Sequence, residues 1–333
     1  MTLVVIIGIA LVFDVTNGFH DSSNSIATLV ATRAASPRAA VVMAGAFHVL
    51  GPLVMGTAVA DTVGGIINAG SADVVPVVAA ALSAAVTWNI ATWARGLPSS
   101  SSHALVGGLV GAGVADAGSS AVNWGGMSGL RPYGVFGVLF VLAVSPLAGA
   151  AAGLLAIRLA RRSLRRAART VARPIRRLQW VSSSALAFSH GANDAQKTMG
   201  VITLLLVADG RLDQFVVPLW VKLAAAASLT VGTALGGWRI VRTIGRGIFR
   251  LRSIDGLASQ TSSAGVIFGS AVLGAPVSTT HVVASSVVGV GAGQSWRRIR
   301  WSVVNEILLA WILTLPATAA LGAALFFVWK GIT

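Results

Sequence analysis

A chain of 333 residues, of which 55% are hydrophobic and only 11% charged, is too apolar for an ordinary soluble domain, so the composition predicts a polytopic membrane protein. The formal net charge of +15 does not indicate nucleic-acid binding, because the arginines stand in clusters between apolar segments, as topology signals do. Without cysteine the chain has no disulfide, thiolate metal site or cysteine nucleophile. The N-terminus lacks the basic segment and cleavage pattern of a signal peptide, so we expect it to be retained.

In chain order, the first half predicts five membrane segments. The short fourth segment follows a proline and a run of serines, and it is too short to span a bilayer alone, which favours a re-entrant hairpin. The segments are a broken crossing at 1–32, an apolar run at 39–60 that ends at Asp61, a crossing at 74–94, a short apolar piece that ends at Ala115, and a long crossing at 132–157.

A polar cluster interrupts the first crossing. It comprises the sequence Gly18-Phe19-His20-Asp21-Ser22-Ser23-Asn24, preceded by Asp14 and Asn17. A charged side chain at bilayer depth costs at least a few kcal/mol and is tolerated chiefly where it lines a cavity or meets a ligand. Asp21 is therefore a candidate site residue, and Gly18 is expected to break the helix. Asp14 is either a proton or cation ligand or a residue at the mouth of the site.

Nine arginines between Arg158 and Arg177 separate this half from the next. They divide the chain into a first half at 1–157, a basic connector at 158–178 and a second half at 179–333. We interpret the connector as a solvated loop or surface helix that is attracted to anionic lipid, and not as a nucleic-acid site. The second half predicts a broken crossing at 179–208, crossings at 215–237 and 258–275, a short piece at 282–294 and a last crossing at 302–329.

The second half repeats the polar cluster as His190-Gly191-Ala192-Asn193-Asp194-Ala195-Gln196-Lys197. Aligning the two copies places Asp21 on Asp194, Asn24 on Lys197 and His20 on Asn193. An intramembrane aspartate can also be structural glue between helices, but a second copy makes that interpretation less attractive. Two interrupted apolar segments, one in each half, are typical of the central site of a transporter.

A hydroxyl cluster also occurs twice. Pro98-Ser99-Ser100-Ser101-Ser102-His103 corresponds to Pro276-Val277-Ser278-Thr279-Thr280-His281, and each precedes a glycine-rich apolar helix. Serines after proline are ordinary helix N-caps. A helix start at membrane depth, however, presents unpaired N–H groups and hydroxyls to an anion. Phosphate fits best, since partly protonated phosphate donates to carboxylates and accepts from hydroxyls and amides.

The distribution of basic residues predicts the orientation. Twenty of the 25 lysines and arginines fall in loops on one side and three on the other, so we expect the N-terminus outside. The two polar clusters then lie on segments that run in opposite directions, and the hydroxyl clusters lie near opposite faces. This arrangement predicts two inverted-topology repeats, which support alternating access.

Other polar and small residues receive simpler interpretations. His48 lies outside both motif pairs, and we interpret it as a packing or interfacial residue. We interpret Glu306 as an interfacial residue beside Arg300. Glycine-rich pieces such as Gly107-Gly108 and Gly289 to Gly293 are expected to let helices approach closely rather than to cradle phosphate.

Together the clusters Asn17-Gly18-Phe19-His20-Asp21 with Asn24, His190-Gly191-Ala192-Asn193-Asp194 with Gln196-Lys197, and Pro276 to His281 resemble the PiT inorganic phosphate transporters, most closely the bacterial Pit branch. The resemblance covers nearly the whole chain. It implies a low-affinity phosphate symporter of the plasma membrane, dimeric and built from inverted repeats.

By motif match, the resemblance assigns substrate and coupling-ion contacts to one group of residues. These are Asp21, Asn24, Ser100, Ser101, Ser102, Asn193, Asp194, Ser278, Thr279 and Thr280. Many relatives carry asparagine where His20 and Lys197 stand here. The Pit branch shares the change and is described as proton-coupled, carrying phosphate often as a neutral divalent-metal complex. A histidine that titrates near neutral pH and a lysine in place of a sodium ion agree with that chemistry.

The sequence therefore predicts an all-α integral membrane transporter with about ten crossings, discontinuous helices and no resident cofactor, which imports inorganic phosphate with protons, sodium or a divalent metal. His20, Asp21, His190, Asp194 and Lys197 are the predicted ion-coupling residues. Supporting or gating roles are predicted for Asn17, His103, Gln196 and His281. A sulfate permease of the same fold is an alternative. An intramembrane hydrolase using His, Asp and Ser is another, but duplication in opposite orientation argues against an enzyme.

Overall fold

A computed structural model describes residues 2–21, 23–164 and 172–333, and these residues are almost entirely helical. The helices are α1 (Thr2–Asp21), α2 (Ser23–Ala31), α3 (Pro37–Val54), α4 (Ala58–Gly64), α5 (Val74–Ala94), α6 (Ser101–Ala117), α7 (Gly134–Ser163), α8 (Ala172–Ala208), α9 (Leu219–Leu235), α10 (Trp238–Arg242), α11 (Ser253–Val272), α12 (Thr279–Ala292) and α13 (Trp301–Lys330). One antiparallel hairpin, β1 (Gly126–Ser128) and β2 (Arg131–Tyr133), precedes α7, with Gly126 opposite Tyr133.

Six helical stretches of the described chain are long and apolar enough to cross a membrane, and a seventh is possible if the bent pair α9 and α10, which meet at 64°, forms one span. The six are 2–31, α3, α5, 101–121, α7 and α13. Helices α8 and α11 have sufficient length but carry many polar side chains, and α12 has only 14 residues. The chain is thus an all-α membrane protein, in which the apolar helices number fewer than the ten crossings expected.

The prediction that Gly18 breaks the first crossing is wrong. Helix α1 runs through Gly18 and ends at Asp21. A Cβ atom at Gly18 would lie 2.4 Å from the carbonyl oxygen of Leu229 and 2.8 Å from the Cα of Gly232 on α9. The glycine is therefore needed because the backbones of α1 and α9 touch there, and not because the chain turns.

The second broken crossing expected at 179–208 is also wrong, because α8 is continuous over 37 residues. Its length of about 55 Å exceeds the thickness of a bilayer. A Cβ atom at Gly191 would lie 2.6 Å from the carbonyl oxygen of His48 on α3. A helix-interior glycine costs only about 1 kcal/mol, so α8 tolerates Gly191 in exchange for close packing on α3.

Two further boundaries differ from the prediction. The apolar run at 39–60 is divided, because α3 ends at Val54 shortly after its internal Pro52 and α4 begins only at Ala58. The first hydroxyl cluster leads into α6, with Ser100 at the N-cap and Ser101 as the first helical residue, and a 3₁₀ turn extends that helical stretch to Ala121. The stretch is therefore long enough to span, whereas α12 is short, as predicted.

Both ends of the predicted connector are helical. Helix α7 continues past residue 157 to Ser163, and α8 begins at Ala172, so six of the nine arginines lie on helices. The other three, Arg165, Arg166 and Arg169, lie outside the described residues.

Helices of the two halves pack in matching pairs. Helix α6 packs on α13, and α12 packs on α7. A Cβ atom at Gly107 of α6 would lie 2.6 Å from the carbonyl oxygen of Leu315 on α13, and one at Gly289 of α12 would lie 2.0 Å from that of Ala150 on α7. These glycines let helices approach closely, as predicted.

Two buried apolar clusters make up the core, one containing Phe13 of α1 and the other Ile26 of α2. Asp21 and Asn24 stand between these two residues in the chain. The polar groups of the first half are thus placed where one apolar cluster ends and the other begins.

Candidate functional site

The two hydroxyl clusters begin α6 and α12 in the same way. Ser100 and Ser278 have extended backbones at the N-cap, and their hydroxyls accept hydrogen bonds from the backbone N–H groups of His103 and His281 at 3.1 and 3.3 Å. The rings of the two histidines lie 4.7 Å apart, and His281 also stacks on Trp311 at 3.7 Å. The starts of the two helices therefore meet inside the molecule.

Asp21 is bound by hydroxyls from both of these helix starts. Its Oδ1 accepts from Thr280 at 2.6 Å and its Oδ2 from Ser101 at 2.7 Å, while the Nδ1 atom of His20 lies 2.8 Å from Oδ1. Only 2% of Asp21 is exposed. The end of α1 is thus joined to α6 of its own half and to α12 of the other half.

Two asparagines extend this network. The amide of Asn24 donates to the Thr280 hydroxyl at 2.9 Å, and that hydroxyl donates to Asp21. The Asn17 Oδ1 atom lies 2.8 Å from the Ser101 hydroxyl, which carries one hydrogen and also faces Asp21. Ser101 can thus donate to only one of these two oxygens at a time.

Asp194 lies in the middle of α8 and is completely buried. Its Oδ1 accepts from the Lys197 ammonium at 2.5 Å, its Oδ2 accepts from the Thr279 hydroxyl at 3.1 Å, and the Nε2 atom of His190 lies 3.4 Å from Oδ2. Lys197 also donates to the carbonyl oxygen of Val277 at 3.2 Å. A buried ion pair of this kind is stable only when its remaining polar atoms are also paired.

Thr279 and Thr280 are consecutive residues, and one binds Asp194 while the other binds Asp21. The two aspartates, 173 positions apart in the chain, therefore converge on one turn of α12. Both are closed off from solvent. The structure brings together the pair of carboxylates and the hydroxyls that the repeated motifs single out.

The other predicted contact residues point elsewhere. Ser102 donates to the Val277 carbonyl at 2.9 Å, and Asn193 donates to the Ala275 carbonyl at 3.0 Å. Gln196 accepts from the backbone N–H of Val59 at 2.9 Å. Ser100 and Ser278 cap their helices, as the alternative interpretation of the serine runs expects. In this conformation these five residues hold the segments around the carboxylates and do not touch them.

The two halves differ at the carboxylates. In the first, Asn24 reaches Asp21 through Thr280, whereas in the second Lys197 binds Asp194 directly. Ser102 corresponds to Thr280 in the repeat, yet it bonds a backbone carbonyl and not Asp194. Near Asp194, the Lys197 ammonium therefore takes the place that the Thr280 hydroxyl has near Asp21.

His20 has an oxygen partner at each ring nitrogen. Its Nε2 lies 3.1 Å from the hydroxyl of Thr92, which donates its own hydrogen to the Trp88 carbonyl at 2.8 Å. The Nε2 atom must then be the donor to Thr92, while Nδ1 faces the Asp21 carboxylate. With one proton on Nε2 and a second one shared between Nδ1 of His20 and the Asp21 carboxylate, all these contacts are satisfied.

Two further buried groups join the site. His48, read from the sequence as packing or interfacial, stacks on His190 at 4.7 Å and bonds the Thr233 hydroxyl at 2.8 Å. Asp14 is completely buried, so the interpretation as a mouth residue is wrong, and neither of its carboxylate oxygens has a hydrogen-bond partner among the described residues. His48 has no counterpart in the other half of the chain and Thr92 is an ordinary helix residue, so no sequence pattern identifies either one as a site residue. The one signal for His48 is that an ionisable side chain is costly at bilayer depth.

Within residues 2–21, 23–164 and 172–333, no group of three His, Asp or Glu side chains is arranged to hold a metal ion.

Comparison with known proteins identifies the family of the chain. Residues 17–322 match the sequence model of the "Phosphate transporter family". The chain is 44% identical, over 98% of its length, to a "Probable low-affinity inorganic phosphate transporter" of Rhizobium meliloti (strain 1021), of which it covers 96%. It is 36% identical, over 98% of its length, to a protein of the same description from Bacillus subtilis (strain 168), of which it covers 97%.

A solved structure, "The sodium-dependent phosphate transporter", has the same fold, with a TM-score of 0.87 over 100% of both chains at 24% identity. The predicted resemblance is confirmed by the family match and the relatives, which are named as transporters and not as enzymes. This multi-pass membrane protein belongs to the phosphate transporter family.

Proposed function

We propose that the chain imports inorganic phosphate across the plasma membrane by proton symport, and that Asp21 and Asp194 together hold the anion. The observation that carries this proposal is the binding of both carboxylates by the adjacent threonines Thr279 and Thr280, with both carboxylates closed to solvent. This is an occluded arrangement in which one small ligand can contact both halves at once.

Phosphate suits the donor and acceptor set. A partly protonated phosphate donates its hydroxyls to the carboxylates and accepts from the hydroxyls of Ser101, Thr279 and Thr280. Helices α6 and α12 also point their N-termini at this region, where their dipoles favour a negative charge. On binding, the anion takes over hydrogen bonds that the carboxylates now receive from these hydroxyls.

Proton coupling is supported by the basic side chains beside the carboxylates. Lys197 places an ammonium 2.5 Å from Asp194, where sodium-coupled relatives are expected to hold a cation. The Nδ1 atom of His20 lies 2.8 Å from Asp21, and histidine is the residue type that exchanges protons near neutral pH. Asp14 is buried without a hydrogen-bond partner among the described residues, so a proton or a cation is needed to offset its charge. A divalent metal travelling with phosphate would remove further charge from the cargo.

Alternating access requires that the two halves exchange roles. We propose inverted repeats at 1–157 and 179–333, because the packing of α6 on α13 mirrors that of α12 on α7. Counting α8, α11 and α12 as polar crossings beside the seven apolar ones gives ten. The basic clusters then lie in the cytoplasm, with the N-terminus outside and the 158–178 connector near anionic lipid. A homodimer is the expected assembly.

The test is labelled phosphate uptake by purified protein in liposomes. An inward proton gradient should drive uptake, and a sodium gradient alone should not. Comparing uptake in the presence and absence of Mg²⁺ shows whether a metal is co-transported. Uptake driven by sodium alone would overturn the proton assignment. Labelled sulfate is tested in parallel: if sulfate is taken up and phosphate is not, the chain is a sulfate permease.

A further inference from the structure

A cavity of about 680 Å³ lies where α2 ends and α11 begins, away from the carboxylates of the central site. Four arginines line it, namely Arg33, Arg250, Arg252 and Arg300. No aspartate or glutamate is among its lining residues in the described chain. A second cavity, of about 600 Å³, shares Arg250 and Arg252 and adds Arg298. This end of the molecule therefore holds a concentration of positive charge around open space, at the face that the charge bias predicts to be cytoplasmic.

The backbone at Arg33 indicates that its side chain is needed there. Arg33 has a φ of +57°, in the left-handed region, and it is the only non-glycine residue with a positive φ in the described chain. It ends α2 in a Schellman motif, in which Ala34 N–H bonds Leu29 O at 3.1 Å and Arg33 N–H bonds Val30 O at 3.0 Å. Glycine is the usual residue at this position because it has no Cβ penalty. With arginine at this position the backbone is strained, and the turn that ends α2 does not itself require an arginine.

One acid, Asp255, interacts electrostatically with Arg252, but it lies outside the lining of the cavity. Asp255 is buried in the first turn of α11, where its carboxylate accepts from the Arg252 backbone N–H at 2.9 Å and is also bonded by the Gln294 amide. It does not line the cavity. Ser253, the first residue of α11, does line it, so the positive end of the α11 dipole adds to the arginines.

We propose that this cavity is a second anion site, which binds a phosphate-bearing anion through Arg33, Arg250, Arg252 and Arg300 from the cytoplasmic side. Guanidinium groups bind phosphate oxygens in bidentate geometry, and four of them around a polar cavity match a phosphate monoester or diester. The anion comes either from free phosphate or from the headgroup of an anionic lipid.

The site is connected to the transport site by α2. Thr32 lines the cavity and donates to Gln179 on α8 at 2.7 Å, while Asn24, nine residues before Arg33, donates to Thr280. The distance along the helix is about 14 Å. An anion held at Arg33 therefore acts on the same short helix that contacts the central network.

The backbone strain at Arg33 supplies the test variant. Arg33→Gly removes the charge while giving the position the residue that its φ favours, so we expect the fold to be retained. Arg250→Gln with Arg252→Gln removes two charges independently of Arg33. Arg38→Gln is the matched control, since Arg38 is exposed at the same end and lines neither of the two cavities.

The measurement is the thermal unfolding midpoint of the purified full chain in neutral detergent, titrated with inorganic phosphate in one arm and with short-chain phosphatidylglycerol in the other. A bound anion raises the midpoint by mass action. Each arginine removed should weaken the apparent affinity about fivefold, because one arginine near an anionic surface contributes about 1 kcal/mol.

If the anion is a lipid headgroup, the response to phosphatidylglycerol falls in Arg33→Gly and in the double variant but not in Arg38→Gln. If it is free phosphate, the wild-type phosphate titration has two phases and those variants lose one. Responses to both ligands that are unchanged in both test variants, or lowered equally in Arg38→Gln, would overturn the proposal. This readout is binding and not uptake, so it is independent of the coupling ion. The phosphatidylglycerol arm does not depend on the central site, whereas the two phases of the phosphate arm assume that the central site also binds phosphate.

Discussion

Replacing Lys197 by asparagine tests whether the ammonium stands in for a coupling cation. Lys197 and Asp194 are 1% and 0% exposed, and their atoms Nζ and Oδ1 lie 2.5 Å apart. Removing one partner of a buried pair leaves an uncompensated charge, which costs about 3–5 kcal/mol. We therefore expect Lys197→Asn to lower the free energy of unfolding by about that amount when choline is the only cation present.

Sodium should restore part of this loss in the variant but leave the wild-type protein unchanged. At 100 times its dissociation constant, a ligand that binds only the folded state stabilises it by about 2.7 kcal/mol. The assay is unfolding followed by tryptophan fluorescence in choline and in sodium at equal ionic strength, together with uptake driven by each gradient. Uptake by the variant should become responsive to a sodium gradient.

The control carries Asp194→Asn together with Lys197→Asn. It has no buried charge left unpaired, so it should lose less stability than Lys197→Asn alone and should show no sodium response. Our reasoning is refuted if Lys197→Asn unfolds like the wild type, or if sodium affects neither its stability nor its coupling.

Three other substitutions address the site and its frame. Asp21→Asn keeps the size of the side chain but removes the charge, and it should abolish phosphate uptake while the amount of protein in the membrane stays normal; full uptake would exclude that carboxylate from transport. Thr280→Val removes the hydroxyl that links Asn24 to Asp21, and by leaving buried groups unsatisfied it should destabilise the protein by about 1–3 kcal/mol in an unfolding assay; an unchanged unfolding midpoint would contradict the network. Gly232→Ala places a Cβ 2.1 Å from the Val15 carbonyl oxygen and should destabilise the protein by about 1–3 kcal/mol. Gly8→Ala is the control, because its Cβ meets nothing within 4 Å and should be tolerated. Equal unfolding midpoints for the two variants would refute the close contact of α1 and α9.

Much of the site was predictable because its motifs occur twice in the sequence. The offset between Asp21 and Asp194, and that between Ser101 and Thr279, relate residues that the structure brings to equivalent contacts. Repetition indicates which residues belong together, even where single motifs are ambiguous. It does not indicate which hydroxyl binds which carboxylate, since the chain could not reveal that Thr280 crosses to Asp21 of the other half.

Glycine caused the largest errors in predicting the fold. Gly18 was expected to break its helix, and a break was expected in the crossing that contains Gly191, but each glycine lies within a continuous helix against the backbone of another. A glycine that interrupts a helix and one that admits a neighbouring helix are identical in a single sequence, because the neighbour is distant along the chain. His48 is a packing residue, as one of its two interpretations expected, but the sequence could not identify its partner, because His190 is 142 residues away and on another helix.

The central claim is that Asp21 and Asp194, one from each half, hold a single phosphate between them. Calorimetric titration with phosphate tests it most directly, in a chain whose arginine cavity is removed by Arg33→Gly, Arg250→Gln and Arg252→Gln, alone and combined with Asp21→Asn or Asp194→Asn. We predict one phosphate bound per chain in that background and none when either aspartate is also replaced, at the same concentrations. Two phosphates lost one at a time, or an unchanged affinity after either aspartate is replaced, would contradict the claim.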